Sequence, residues 1–186
     1  ITKPQIFAKW QAAAPAGFVF SVKLNRTVTH LKKLKPDQRT QEVLRECLEN
    51  AQALGGKFKV LLVQLPPNLG YRQDKLSEFL SILKSEKAKL KHKPRIALEA
   101  RHSSWFCQDA YKLLRKHKIA LVMSHSSVFP LAEQHTSDFA YIRFHGPKKL
   151  FASQYSQAEL RSWAQRINRF PAKAKQVYAY FNNDMH

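Results

Sequence analysis

The chain has 186 residues, of which 44% are apolar, and this is enough for one globular domain that buries a substantial core. No apolar run approaches the ~20 residues that a membrane helix needs, so we expect no membrane partner and a cytoplasmic location. Lys and Arg outnumber Asp and Glu by 32 to 13, a net charge of +19 that attracts polyanions. The alternative is that much of the lysine forms only a solvated surface, as in the stretch EKAKLKHKPR at 86–95.

Helical and strand patterns alternate along the whole chain. Helices are predicted at 4–14, from an N-cap at Asp37 to Leu54, after Asp74, after Ser103 or Ser104, and after a capping box of Ser156 and Glu159. Buried strands are predicted at 17–23, 58–64, 95–101, 118–124, 139–145 and 176–182. Two of them contain continuous apolar runs, VLLVQL and IALVM, which are typical of a parallel sheet covered on both faces.

Two parallel α/β architectures fit this alternation: an open doubly wound sheet and a (β/α)8 TIM barrel. The glycine-rich turn of a dinucleotide-binding sheet and a Walker loop are both absent, and the chain has only five glycines. A complete barrel usually has eight strands and about 250 residues. The predicted strands therefore indicate a single α/β domain over residues 1–186, an incomplete TIM barrel that lacks its first two strands.

Almost every predicted strand ends in an ionisable or amide side chain. Burying such a group without a partner is costly, whereas ligands bind at the carboxyl ends of the strands in parallel α/β proteins. We therefore predict a binding site at the carboxyl ends of the strands. The predicted substrate-binding residues are Lys23, Gln64, Arg101, Arg143, Asn182, Asn183 and Asp184.

Two further strand-end residues, Glu99 and His145, are predicted to be catalytic. Because side chains alternate along a strand, Glu99 shares a face with Arg101, and Arg143 shares a face with His145. His145 can serve as acid or base near neutral pH, and Glu99 can act as a general base or hold Arg101 in place. Arg101 can bind a carboxylate or phosphate with both arms. A structural Glu–Arg pair and a buried histidine bonded to a neighbouring strand are the alternatives.

Metal and covalent chemistry receive little support from the sequence. Glu99, His145 and Asp184 could together bind a metal, but no spacing typical of metal ligands accompanies them. The chain has no Gly-x-Ser-x-Gly elbow, and Cys47 and Cys107 are predicted to be reduced thiols away from the strand ends. We therefore predict no metal and no cofactor, and any reaction would be a metal-independent acid–base reaction.

Five segments in a fixed order carry a family resemblance: FVFSVKLNRTVTH (18–30), LGGKFKVLLVQLPPN (54–68), LEARHSSW (98–105), YIRFHG (141–146) and VYAYFNND (177–184). They resemble the YecE-like family of bacterial and archaeal domains of unknown function. The resemblance implies a (β/α)8 barrel, of which this chain would lack a first strand with Gly and Trp, a second strand of the Val-Glu-Ile-Asn type and the last helix. Ala100 stands where the family usually has Phe, which leaves Glu99, Arg101 and His102 in register.

Three functions are compatible with the sequence. The first is an enzyme, a hydrolase or a lyase or isomerase, that binds a small anionic or phosphorylated molecule at the carboxyl ends of the strands. The second is a nucleic-acid-binding protein or nuclease that uses the basic surface. The third is a non-catalytic scaffold or ligand sensor, because barrels serve many functions. We prefer the first, and the sequence leaves the oligomeric state open.

Overall fold

The computed structural model describes residues 1–172 and 174–183. The chain divides into two compact units, Ile1–Leu98 and Glu99–His186. Helices alternate with parallel strands in both units, so the predicted mixed α/β class is confirmed. The strands of the described residues do not close into a barrel, and the TIM barrel and the single domain stay predictions. Within these residues, every helix is too short or too polar to cross a membrane.

The first unit alternates helices with strands that lie side by side in chain order. Its elements are α1 (Pro4–Ala13), β1 (Phe20–Lys23), a π-helical turn (Thr27–Leu31), α2 (Gln38–Ala51), a 3-10 helix (Gln52–Lys57), β2 (Phe58–Gln64), α3 (Gln73–Ala88) and β3 (Arg95–Glu99), whose last residue opens the second unit. β1 and β2 are parallel, with Val22 opposite Leu61. Asp37 caps α2 as predicted, because its carboxylate accepts a hydrogen bond from the Thr40 amide at 2.9 Å.

Two elements of the first unit differ from prediction, and glycine conformation explains the first difference. The predicted strand 17–23 begins only at Phe20, and Gly17 before it has a φ of +86° that a strand cannot contain. The predicted helix 37–54 ends at Ala51, and the 3-10 helix that follows bends at Gly55, where φ is +58°. The strand β2 spans the predicted residues 58–64.

The second unit contains the sheet that carries the polar strand ends. Its elements are a 3-10 helix (Ser103–Trp105), α4 (Gln108–Lys116), β4 (Ala120–Leu121), β5 (Met123–His125), β6 (Phe139–Phe144), α5 (Gln157–Asn168) and β7 (Gln176–Phe181). β5, β6 and β7 are parallel neighbours in that order, with Ser124 opposite Arg143 and Arg143 opposite Tyr180. The predicted capping box of Ser156 and Glu159 is present at the start of α5.

A threonine side chain divides the predicted strand 118–124 into β4 and β5. The Oγ1 of Thr136 accepts a hydrogen bond from the Leu121 amide at 2.8 Å and donates one to the Ile119 carbonyl at 2.6 Å. A hydroxyl group thus satisfies backbone groups that a neighbouring strand would otherwise pair. The strand ladder is therefore interrupted at Val122.

The central strand β6 has one apolar face and one polar face. Ile142 and Phe144 pack against Trp163 of α5 in a buried cluster. Tyr141 lies on the opposite face, where its ring stacks on two tyrosine rings of β7. Arg143 follows Tyr141 on this second face because side chains alternate along a strand. The alternation therefore directs the polar end of β6 away from α5.

Candidate functional site

A buried carboxylate, Glu99, lies at the end of β3 and holds the first of two guanidinium groups. Its side chain is 0% exposed. The Nε and Nη2 atoms of Arg101 lie 3.0 and 2.9 Å from Glu99 Oε1. The two residues are two positions apart along an extended chain, which puts their side chains on the same face. The predicted pairing of Glu99 with Arg101 is therefore present.

The second oxygen of the same carboxylate binds Arg143 of β6. Arg143 Nη1 donates to Glu99 Oε2 at 2.7 Å. The side chains of Arg101 and Arg143 are only 11% and 12% exposed. One carboxylate therefore fixes two largely buried guanidinium groups, each through a charge-assisted hydrogen bond.

His145 immediately follows β6 and completes the site together with Asn182, which follows β7. Its backbone amide donates to the His125 carbonyl at 2.8 Å, which fixes the position of the residue. Asn182 Nδ2 donates to His145 Nδ1 at 3.1 Å, and His145 Nε2 then donates to Glu99 Oε1 at 3.2 Å. The imidazole is 0% exposed. We call Glu99, Arg101, Arg143, His145 and Asn182 the arginine cluster.

The arginine cluster contains one more permanent cation than anion. Burial raises the pKa of Glu99, but the His145 hydrogen bond and the charges of Arg143 and Arg101 outweigh it and lower the pKa to about 2. Glu99 is therefore ionised at neutral pH, and its one negative charge faces the positive charges of two guanidinium groups. A carboxylate with so low a pKa is a weak base. Glu99 is therefore better suited to holding the two guanidinium groups than to accepting a proton.

The structure brings together five of the predicted site residues, which are those of the arginine cluster. Asn183 Nδ2 instead donates to the Ser153 carbonyl at 2.9 Å and so binds the loop after β6. Lys23 is exposed at the end of β1, and Gln64 is buried at the end of β2, both in the first unit. Asp184 lies outside the described residues. The ligand-binding and catalytic roles of all these residues stay predictions.

Two residues near the arginine cluster were not predicted from the sequence. Phe129 lies over the guanidinium group of Arg101, 4.2 Å from it. The hydroxyl of Tyr155 accepts a hydrogen bond from the Gly146 amide at 3.2 Å and lies 2.9 Å from His125 Nδ1. Both belong to segments without a strand or helix period, so no sequence pattern marks them.

The described residues contain no group of three or more His, Cys, Asp and Glu side chains arranged to hold a metal ion. The metal site considered from the sequence includes Asp184, so the structure does not test it. Cys47 is a buried free thiol and Cys107 is half-buried.

We expect the protein to lose stability as the pH falls from about 4.5 to about 2, in part because Glu99 becomes protonated. The pKa of Glu99 is lowered from its ordinary value of 4.5 to about 2 in the folded chain, so the unfolded state binds the proton more readily in this window. Lowering the pH through the window therefore favours unfolding. Urea unfolding at several pH values, followed by the fluorescence of the buried Trp105 and Trp163, measures the effect.

The variant Glu99→Gln isolates this contribution, since it removes the titrating group. Its unfolding free energy should depend less on pH than that of the wild type between about 4.5 and about 2. Glu86 of the first unit also has a pKa lowered to about 2, first by its hydrogen bond from Arg45, but it is present in both proteins. Identical pH dependence of the two proteins would contradict the prediction.

Comparison with known proteins identifies the family of this chain, and the description of that family names no reaction. The family model described as "Protein of unknown function DUF72" matches residues 1–186. The crystal structure of a DUF72 family protein, TM1631 of Thermotoga maritima MSB8, is similar to this chain, with a TM-score of 0.77 and 25% sequence identity over 98% of this chain and 74% of that one. No curated protein matches the chain. The resemblance to a family of domains of unknown function is therefore confirmed.

Proposed function

Because this chain belongs to the DUF72 family, whose description names no reaction, we propose a function from the geometry of the site. The protein binds a small anionic or phosphorylated molecule through Arg101 and Arg143. The observation that carries the proposal is that one buried carboxylate, Glu99, contacts both guanidinium groups. The carboxylate orients two strong anion-binding groups without neutralising both of them.

Charge and geometry both favour an anionic ligand. The arginine cluster holds two cations against one ionised carboxylate, and the surplus positive charge lies where the arginine side chains are about nine-tenths buried. A charge in such a place interacts more strongly with a ligand than a charge in water does. The planar guanidinium group also matches the spacing of carboxylate and phosphate oxygens.

The proposal includes the architecture predicted from the sequence, an incomplete (β/α)8 barrel with its ligand at the carboxyl ends of the strands. Parallel strands in both units and the similarity to the DUF72 structure support it. Glu99, His145 and Asn182 end or directly follow β3, β6 and β7, which is where barrels bind their substrates. Lys23 and Gln64, at the ends of β1 and β2, remain predicted ligand residues.

If the site catalyses a reaction, we predict that the reaction needs no metal and is either a hydrolysis or the chemistry of a lyase or isomerase. Glu99 is a weak base, so we assign it to positioning the two guanidinium groups. His145 is the group that would move a proton. Both of its ring nitrogens are hydrogen-bonded, so proton transfer requires that its contact with Asn182 or Glu99 changes when the ligand binds.

We expect Arg143→Ala to weaken the binding of inorganic phosphate or of a phosphorylated sugar. A hydrogen bond to a charged group contributes about 1.5–3 kcal/mol, so the Kd should rise roughly 10- to 100-fold. A thermal-shift screen of phosphosugars, nucleotides and divalent metals first identifies the best ligand. Isothermal titration calorimetry at low salt then compares the variant with the wild type.

Arg161→Ala is the matched control for this experiment. Arg161 is exposed on α5, so the control removes the same charge without touching the arginine cluster. Its Kd should stay close to that of the wild type, because an exposed charge is screened by solvent. Equal weakening in both variants would indicate nonspecific attraction. The absence of any anion binding to the wild type would refute the proposal.

A nucleic-acid-binding function is the second candidate, and the net charge of +19 favours it. Oligonucleotide binding would then be strong at about 50 mM salt and would fall steeply by about 200 mM. Many surface cations would share the phosphate contacts, so Arg143→Ala should leave this binding nearly unchanged. Failure to retain oligonucleotides at about 50 mM salt would remove this candidate.

A further inference from the structure

The loop between β5 and β6 spans residues 126–138, and Phe129 in its first part covers some of the arginine cluster. We call residues 126–131 the lid loop. It contains no helix or strand. It begins with a tight turn, in which Ser126 Oγ accepts hydrogen bonds from the amides of Val128 and Phe129 at 3.2 and 2.7 Å. The turn points two successive side chains in different directions. Val128 is 64% exposed to solvent, whereas the Phe129 ring lies against the arginine cluster.

Phe129 contacts two members of the arginine cluster. Its ring lies over the Arg101 guanidinium at 4.2 Å, a cation–π contact. The same ring meets the His145 imidazole nearly edge-on, with centroids 6.0 Å apart and planes at 83°. One side chain of an irregular loop therefore covers both an anion-binding group and the predicted acid–base group.

A second aromatic ring, from the loop after β6, closes the other side of His145. The ring of Phe151 lies 5.3 Å from the imidazole at 79°, and its amide donates to the His145 carbonyl. Phe151 has a φ of +62°, a left-handed conformation that is uncommon for a bulky residue. Phe151 is thus held at the strand end by a backbone hydrogen bond in addition to its ring contact, whereas Phe129 contacts the cluster through its ring.

We propose that the lid loop opens and closes over the arginine cluster. The Phe129 ring must move away from Arg101 before an anion can bind there. The anion part of this statement rests on the proposed function, but the opening of the lid does not. His145 is 0% exposed and Arg101 11% exposed while Phe129 is in place. A cation–π contact is weaker than a charge-assisted hydrogen bond, so an anion that hydrogen-bonds to Arg101 can displace the Phe129 ring.

The accessibility of His145 tests the lid directly. Hydroxyl radicals oxidise histidine side chains according to their exposure, and peptide mass spectrometry reads each position separately. In the wild type we expect His145 to react far more slowly than the half-buried His102. Phe129→Ala should raise the oxidation rate of His145 several-fold.

Two further variants keep the test decisive. Val128→Ala changes the exposed neighbour of Phe129 and should leave the rate at His145 unchanged. Ser126→Ala removes only the hydroxyl that holds the turn and should also raise the rate, so it decides the outcome if Phe129→Ala does not fold. An unchanged rate in Ser126→Ala and in any folded Phe129→Ala overturns the lid. An equal rise in Val128→Ala also overturns it.

Inorganic phosphate separates the lid from the proposed function. If phosphate binds the wild type by calorimetry, the oxidation of Phe129 should increase on binding, and an unchanged rate at Phe129 overturns the lid. If phosphate and phosphorylated sugars do not bind but Phe129→Ala still exposes His145, the lid is supported and the anion site is wrong.

Discussion

Replacing Glu99 by Gln should destabilise the folded protein by about 3–5 kcal/mol, the usual effect of removing one partner from a buried ion pair. The carboxylate is fully buried, and it accepts hydrogen bonds from Arg101, Arg143 and His145. Glutamine keeps the shape but loses the charge, so two largely buried guanidinium groups lose their shared counter-charge. Urea unfolding at neutral pH, followed by the fluorescence of Trp105 and Trp163, measures the difference.

Glu133→Gln is the matched control, because it removes a carboxylate from an exposed ion pair and not from a buried one. Glu133 pairs with Arg166 at 3.0 Å in the same unit, but both side chains are more than two-fifths exposed. Removing that pair should change the unfolding free energy by less than about 1 kcal/mol, as is usual for surface ion pairs. If the two variants lose the same unfolding free energy, the buried ion pairs of Glu99 stabilise the protein no more than an exposed pair does.

Gly146→Ala should destabilise the protein by about 2–6 kcal/mol, because it combines backbone strain of about 1–3 kcal/mol with steric overlap of about 1–3 kcal/mol. Gly146 follows His145 and has a φ of +101°. A Cβ atom there would lie 2.5 Å from the Lys149 carbonyl oxygen and 2.8 Å from Ser153 Oγ. The carbonyl belongs to the backbone and cannot rotate away, so the loop after β6 would have to shift.

The control for this substitution is a glycine with a similar conformation and no neighbours. Gly17 has a φ of +86°, and a Cβ atom built on it meets nothing within 4 Å. Gly17→Ala should therefore show only the strain, about 1 kcal/mol. Thermal unfolding by circular dichroism compares the two variants. An equal loss of stability would mean that the contacts of Gly146 are unimportant.

Features that depend on residues close together in the chain were predictable from the sequence. The capping box of Ser156 and Glu159 is formed by side chains three positions apart. The pairing of Glu99 with Arg101 follows from the two-residue period of an extended chain. The same period separates Arg143 from the apolar residues of β6 that pack under α5.

Features that depend on the path of a loop could not be predicted. The break between β4 and β5 is caused by Thr136, which lies 15 residues beyond the amide it binds. Phe129 stands in a segment with no period, and only the turn at Ser126 directs its ring onto Arg101. Neither residue has a local signature, because its role depends on where the rest of the loop runs.

The sequence alone determined the α/β class, the strand ends that carry polar groups and the face on which each group lies, since repeating local geometry fixes all three. Only the tertiary structure decided that Glu99 binds Arg143 and His145, which follow it by 44 and 46 residues. Such contacts depend on strand order and register, and these are set by the packing of distant segments into one core.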